Sequence, residues 1–398
     1  MVFGARQAHA STPADDGVGT PTFTTADSAP PGLRTTRTIP YWSSAFTDPT
    51  NGQSYNFTMV GANPSQGDVT TTVPVTIIPI SFTFTTVGAG VVYNPLDGST
   101  KVANMLASPI FNPSADIGTA ANTTANAAPG GGVAPSPRLF NEPSDTTQVS
   151  DAIYRSQFGK SGSSYHVLLG NAVGTNVTIT PTQSITAPQN QGLETHGSVS
   201  HADLGRIDVN WFSSRLKEAM GKSHTDPTSL VLFATYDIVL RTGNNPASCC
   251  IIGYHGAFSP VGLGSGGASG NGNQPLQTFM FASWTEPGIF SASFIQDIHA
   301  LSHEVMEWYD DPFVHNFVQP WAVASAPQYG CTNILETGDP VVGLGFVVTI
   351  GGVNYHPEDE VFFSWFAREN PSISSSASAA VPGYTYLNNF RQFAQPCA

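Results

Sequence analysis

The stretch Ser293-Phe294-Ile295-Gln296-Asp297-Ile298-His299-Ala300-Leu301-Ser302-His303-Glu304-Val305-Met306-Glu307-Trp308-Tyr309 carries the most chemistry in the chain. Phe294, Ile298, Leu301, Val305 and Trp308 recur at helical spacing, which predicts one amphipathic helix over 293–309, stopped by Pro312. His299, His303 and Glu307 follow at intervals of four, so they share one stripe of that helix. A solvated helix face can present such residues too. Here the opposite side is bulky enough to belong in a core, which leaves the polar stripe facing a cleft.

The segment admits two frames. In the first, His303 and Glu307 bind a metal ion, and Glu304 stands where the general base stands in the HExxH motif, beside the ion's water without being a ligand. Glu in place of the second His gives HExxE, whose extra charge lowers the ion's Lewis acidity and favours harder ions. In the second, His299 and His303 are the ligands, and the base position falls on Ala300, which moves no proton. The first frame is chemically richer, with His299 as an extra ligand or a neighbour of one.

A third ligand must come from elsewhere. Downstream, Cys331-Thr332-Asn333-Ile334-Leu335-Glu336-Thr337-Gly338-Asp339-Pro340 supplies two carboxylates in an acid-poor chain. Glu336 is the candidate to complete the coordination, with Asp339 as another ligand or as the acceptor that orients His303. Alternatively, Glu336 caps a turn, or Glu336 and Asp339 form a separate calcium site. One divalent ion is expected, zinc before calcium. Tyr355-His356 follows, where a tyrosine or histidine could stabilise a tetrahedral oxyanion.

Around this centre the chain divides by texture. Residues 1–37 are rich in Ser, Thr, Ala, Pro and Gly without periodicity and are expected to form a disordered tail. Residues 38–145 are a β-rich N-terminal region, with an extended run at 73–84 that Pro79 breaks or places at an edge, and a low-complexity loop at 113–137. Residues 146–398 alternate helix and strand and form the metal-binding domain. Its expected strands include 229–234 and 277–284, the latter ending near Trp284 and serving to align an extended substrate by backbone pairing. The fold class is α/β (α+β), a mixed sheet with one functional helix. His255, at the end of a probable strand, reads as a satisfied core histidine. Gly262-Leu263-Gly264-Ser265-Gly266-Gly267 lacks the Lys-Ser/Thr of a phosphate loop and reads as a hairpin tip.

Composition excludes several partners. The chain has 398 residues, and its 14 Lys and Arg against 28 Asp and Glu give a net charge of −14, with no basic run to displace a phosphate backbone's counterions. Nucleic acid and anionic membrane surfaces are therefore not expected. No apolar stretch approaches the ~18 residues of a membrane span. The start, Met1-Val2-Phe3-Gly4-Ala5-Arg6, has no apolar core of signal-peptide length, so an export signal is expected to be missing from this chain or export to take another route. Four cysteines without a CxxC pair suit disulfides in an oxidising, extracellular setting. Adjacent Cys249 and Cys250 are not expected to pair with each other, which leaves Cys331 and Cys397 as natural partners. No Gly-x-Ser-x-Gly elbow or electropositive cysteine supports a serine or cysteine hydrolase.

The run His303-Glu304-x-x-Glu307, Asp311-Pro312, Trp321 and Glu336-x-Gly338-Asp339 resembles a motif of secreted bacterial proteins described as zincin-like metallopeptidases. It is also similar to the EXORDIUM-like, phosphate-induced proteins of plants. Cys249-Cys250, Tyr254-His255-Gly256 and Trp365-Phe366-Ala367-Arg368 look like further blocks of the same pattern, which covers the last 200 residues best. The order of helix, strands, edge strand and functional helix is analogous to the zincin core. The resemblance implies that fold and a metal at His303, Glu307 and Glu336. The expected function is a secreted metal-dependent hydrolase acting on peptide or protein substrates, with Glu304 as general base toward a metal-held water. The rival is a non-catalytic matrix, adhesion or filament protein, able to self-associate, with a structural ion at the same residues.

Overall fold

The structure, a computed structural model, describes residues 37–85, 96–114, 146–158, 165–243, 249–258, 275–370, 383–387, 390 and 392–397. All but Arg37 of the expected tail over 1–37, most of the 113–137 loop and the glycine-rich run at 262–267 lie outside these residues. The fold is mixed α and β, with many strands in mixed sheets. Among the described residues there are five α-helices: α1 (Ser99–Ala107), α2 (Val149–Gln157), α3 (Val209–Ser223), α4 (His299–Asp310) and α5 (Phe363–Phe366). None is long and apolar enough to cross a membrane. The described residues group into two compact units, one from 37–39, 74–105 and 170–301, the other from 40–73, 106–169 and 302–397. Each unit thus draws on both sides of residue 146.

In the first unit, Val75–Phe84 is buried at every position but Thr83, as a strand covered on both faces must be. It pairs in parallel with Leu230–Tyr236, which pairs in parallel with Gln277–Trp284. Pro79 neither breaks this strand nor sits on an edge. On the far side, Val177–Ile179 pairs with 75–77 and Gln183–Ala187 with 80–84, so the proline's missing N–H falls at the seam between two neighbours. The 277–284 strand, expected to receive substrate, is interior and wholly buried. Antiparallel Gly253–Phe258, which contains the buried His255, is the outer strand of the described sheet. Phe82, Phe84, Phe233 and Phe281 pack with Phe212 and Leu216 of α3 into one core. Each such ring, fully buried, contributes about 2–3 kcal/mol. The first turn of α3 is capped by Asp208 Oδ1, which accepts from the N–H groups of Asn210 and Trp211 at 3.1 and 3.0 Å.

A second sheet of this unit orders Cys249–Ile251, Ile238–Arg241, Asp203–Asp208 and Gly192–His196. The chain leaves the first sheet for the second at Asp237, whose backbone is left-handed (φ 49°). Its Oδ1 accepts from the N–H of Glu286 at 2.8 Å, while the Glu286 carboxylate meets Lys101 Nζ at 2.5 Å over the Tyr236 ring. Burial, assisted by the Glu286 charge, pushes the Asp237 pKa up to about 7. A raised carboxyl pKa means that the folded state holds the proton more tightly. Its contribution is complete below the unfolded pKa near 4 and is lost as pH rises to about 7, up to about 4 kcal/mol in all. Denaturant melts from pH 4 to 8 are expected to show wild type losing stability relative to Asp237→Asn over that window. Parallel pH profiles of the two proteins would refute the assignment.

Cys249 and Cys250 overturn their expectation. Their sulfurs lie at bonding distance, with Cα atoms 3.0 Å apart, and the peptide bond between them is cis. Cys331 pairs with Cys397 as expected, across 66 residues of the second unit. Closing a loop of that length in the unfolded chain stabilises the fold by about 4 kcal/mol. The helix expected from 293 starts only at His299: Asp297 is left-handed (φ 41°) and its N–H bonds Thr285 O at 2.7 Å, so the preceding residues cannot join the helical ladder.

The second unit is built around large rings. Trp308 and Tyr309 of α4, Trp321, and Trp365 and Phe366 of α5 are all buried. Trp321 meets Trp365 and Phe366 edge to face at 5.5 Å. Asp311-Pro312 ends α4 for a specific reason. The two Asp311 carboxylate oxygens accept from the N–H groups of His315 and Asn316 at 2.9 Å, and the Asn316 side chain clamps both backbone groups of Thr58. This turn fixes the end of α4, and with it the site on that helix.

Candidate metal centre

His303, Glu304 and Glu307 are buried on α4, and each offers a ligand atom within 4.8 Å of the other two. His303 Nε2 lies 3.0 Å from Glu307 Oε1 and 3.7 Å from Asp339 Oδ1, which a short 3-10 turn (Asp339–Val341) delivers from the loop after strand Thr332–Ile334. Two ligands at about 2.1 Å from one ion stand about 3.4 Å apart at the tetrahedral angle. Those two separations straddle that value. Glu336, from the same loop, is buried and shares a hydrogen bond with Glu307.

The four second-unit candidates are linked pairwise: Glu307 and Asp339 each lie near His303 Nε2, and Glu336 bonds Glu307. His299 is the first residue of α4, is buried, and belongs to the first unit.

Asp339, expected as a further ligand or as the acceptor that orients His303, lies on the Nε2 side with Glu307. The orienting acceptor is Glu358, whose Oε2 is 3.0 Å from His303 Nδ1 and whose own N–H is held by Ser302 Oγ at 2.8 Å. Glu358 belongs to Glu358-Asp359-Glu360, three consecutive acids in a chain with few. That run was the available signal, and it reads from sequence as a solvated loop. All three are buried. Tyr355, at the end of strand Val353–Tyr355, is buried, and His356 is half-buried beside it. Glu358 is the residue that carries this segment to His303.

The electrostatics are compatible with a bound cation. Burial, and then the charges of Glu307 and Asp339, push the Glu336 carboxyl well above its usual range. Burial and Glu307 do the same to Asp339. His303 is raised as well: burial opposes its charge, but Glu307 and Glu358 outweigh that. Asp339 Oδ1 and Glu336 Oε2 are buried without a hydrogen bond. Ionised carboxylates buried together are costly unless something positive lies among them, and the raised pKa values are the protonated alternative to it. The donor set of one imidazole and several carboxylates suits a divalent ion, harder than a purely nitrogen or sulfur site would select.

Gly338 lets the loop come this close. Its backbone is ordinary (φ −80°), but a Cβ there would collide with the His303 ring, and its N–H donates to Glu307 Oε1 at 3.3 Å. Gly338→Ala is expected to push the ring out of line, lower the bound-metal content and destabilise by about 1–3 kcal/mol, the usual range for overpacking. Metal analysis beside a thermal melt checks this, and unchanged values for both would refute it.

Comparison of the chain with protein-family models, with curated proteins and with solved structures finds no match in any of the three.

Proposed function

We propose that the chain is a zincin-like, metal-dependent hydrolase of the extracellular space, acting on peptide bonds. The observation that supports this best is His303 held between Glu358 on Nδ1 and the Glu307–Asp339 pair on Nε2. An imidazole whose far nitrogen is fixed by a carboxylate presents its other lone pair in one direction with raised basicity. Nε2 of His303, Glu307, Asp339 and Glu336 are the residues that would hold the ion. When bound there, it supplies Lewis acidity toward a scissile carbonyl and toward water. Glu304, next to His303 but not needed as a ligand, takes the proton of the attacking water and returns it to the leaving amine. The two disulfides suit an oxidising compartment.

The test is digestion of a broad peptide library by the metal-loaded chain, with and without chelator. Cleavage that chelator abolishes is the expected result; no cleavage, or cleavage indifferent to chelator, sinks the peptidase reading.

One observation favours a second reading. Glu307, Glu336 and Asp339 are almost fully enclosed, and the His303 side chain is only 11% exposed. Closed, fully ligated sites are structural, whereas catalytic ones keep an open position. On that reading the chain is a non-catalytic matrix, adhesion or filament protein. Chelation would then cost stability alone.

A further inference from the structure

Two of the proposed ligands, Glu336 and Asp339, come from one segment, so whatever fixes that segment fixes both. It begins at Cys331 and continues through the three-residue strand Thr332–Ile334. This strand pairs with Phe317–Ala322 at two registers only, Phe317 with Ile334 and Trp321 with Thr332, and the ladder is irregular between them. On its other side Phe317–Ala322 pairs with Gln395–Pro396, a strand of two exposed residues. Strands this short are marginal by themselves.

Cys331 stands immediately before the first of these flanking strands and Cys397 immediately after the second. Their disulfide therefore ties the two together at the level of Trp321, which pairs with Thr332 on one side and Pro396 on the other. Trp321 is fully buried, and its indole N–H donates to Ile334 O at 2.9 Å. The bond closes a clasp around the strand from which the ligand loop hangs. Beyond Ile334 that loop is held by single hydrogen bonds: Leu335 N–H to Asn316 O and Val361 N–H to Thr337 O, both at 3.0 Å, Ser325 Oγ to Pro340 O at 3.1 Å and Gly338 N–H to Glu307 Oε1 at 3.3 Å. Cys331 is exposed and Cys397 half-buried, which leaves the bond open to a reductant in solution. The other disulfide, Cys249–Cys250, belongs to the first unit and closes no loop that carries these ligands.

We infer that the Cys331–Cys397 disulfide is a redox gate on the metal centre: oxidised, it holds Glu336 and Asp339 where an ion binds, and reduced, it lets them drift and the ion leave. A dithiol in solution supplies the two electrons. Its thiolate attacks one sulfur and the S–S bond breaks. Cys331 and Cys397 take up two protons as thiols, and the dithiol becomes a disulfide. The chain then loads metal only in an oxidising space, where its own disulfide persists. The inference rests on the metal centre proposed above, and its test separates the two.

Zinc is titrated into the full chain against a chromogenic chelator, with circular dichroism of the same samples. Cys331→Ser/Cys397→Ser lacks the bond and brings no thiol to bind zinc itself. It is expected to keep its fold and to bind zinc about tenfold more weakly than oxidised wild type, the least that lost support of a metal ligand usually costs. Treatment with a dithiol, then removed without air, is expected to leave this variant unchanged. Zinc held by it as tightly as by oxidised wild type overturns the inference. If it does not fold, Cys249→Ser/Cys250→Ser, whose one remaining disulfide is the clasp, is measured oxidised and then reduced, below its melting temperature. It is expected to lose affinity on reduction with its circular dichroism intact. Equal affinity in both states, or affinity lost only together with the fold, overturns the inference. Failure of the metal centre has its own signature, oxidised wild type that binds no zinc.

Discussion

Glu307→Gln is expected to change the sign of its effect with metal. In chelator it should match or exceed wild type in stability, and with metal restored it should melt well below wild type. Without an ion, Glu307 is one of several buried carboxylates, and its charge raises the pKa of both Glu336 and Asp339. Replacing it by an amide removes that repulsion, while the amide oxygen can still accept from His303 Nε2 and Gly338 N–H. With the ion, Glu307 is a ligand. A ligand bound at a thousand times its Kd stabilises the fold by about 4 kcal/mol, and the variant forfeits most of this. Paired melts in chelator and in excess metal check the claim. A variant that is less stable than wild type by the same amount in both conditions would show that Glu307 has only a packing role.

The chelated wild type has its own pH signature. Glu336, Asp339 and Glu360 all have folded pKa values raised by burial and by neighbouring carboxylate charge, that of Glu307 among them in each case. Their contribution to stability is complete below the ordinary carboxyl range and fades as pH rises through the raised folded values, so acidification should first stabilise the metal-free protein. Metal reverses the trend, because protons compete with the ion for the same oxygens. Opposite slopes with and without chelator over mildly acidic pH are the expected result.

The parts of this molecule legible in its sequence are those fixed by local periodicity. The spacing of His303 and Glu307 on a helix needs no partner, and their proximity to Glu336 and Asp339 could be proposed because carboxylates are scarce here. What escaped depends on contacts distant in sequence. The start of α4 is set by Asp297 pairing with Thr285, which overrides the apolar spacing of Phe294 and Ile298. Pro79 is tolerated inside a strand only because two other strands meet opposite it. Glu358 and Glu360 were hidden for a chemical reason: three acids in a row look solvated unless something beyond the sequence neighbourhood buries them. Cys249 and Cys250 escaped because adjacent cysteines close so small a ring that a bond between them is not expected.

Glu304→Gln separates the two functional readings most sharply. The substitution keeps the volume and the buried position of Glu304, and it leaves His303, Glu307, Glu336 and Asp339 as they are. Bound metal should therefore be unchanged within error, and stability should be near that of wild type. An amide cannot take a proton from water. If Glu304 is the base, peptide hydrolysis falls by 10²–10⁴-fold, the range general-base catalysis contributes, and it falls in kcat with little change in KM. Full activity at full metal content would remove Glu304 from the mechanism while leaving the metal centre in place. Should wild type itself cleave nothing, with Glu304→Gln holding its ion and its melting temperature, the enclosed carboxylates are ligands of a structural ion. The glutamate after His303 is then a buried neighbour of that ion, without chemistry of its own.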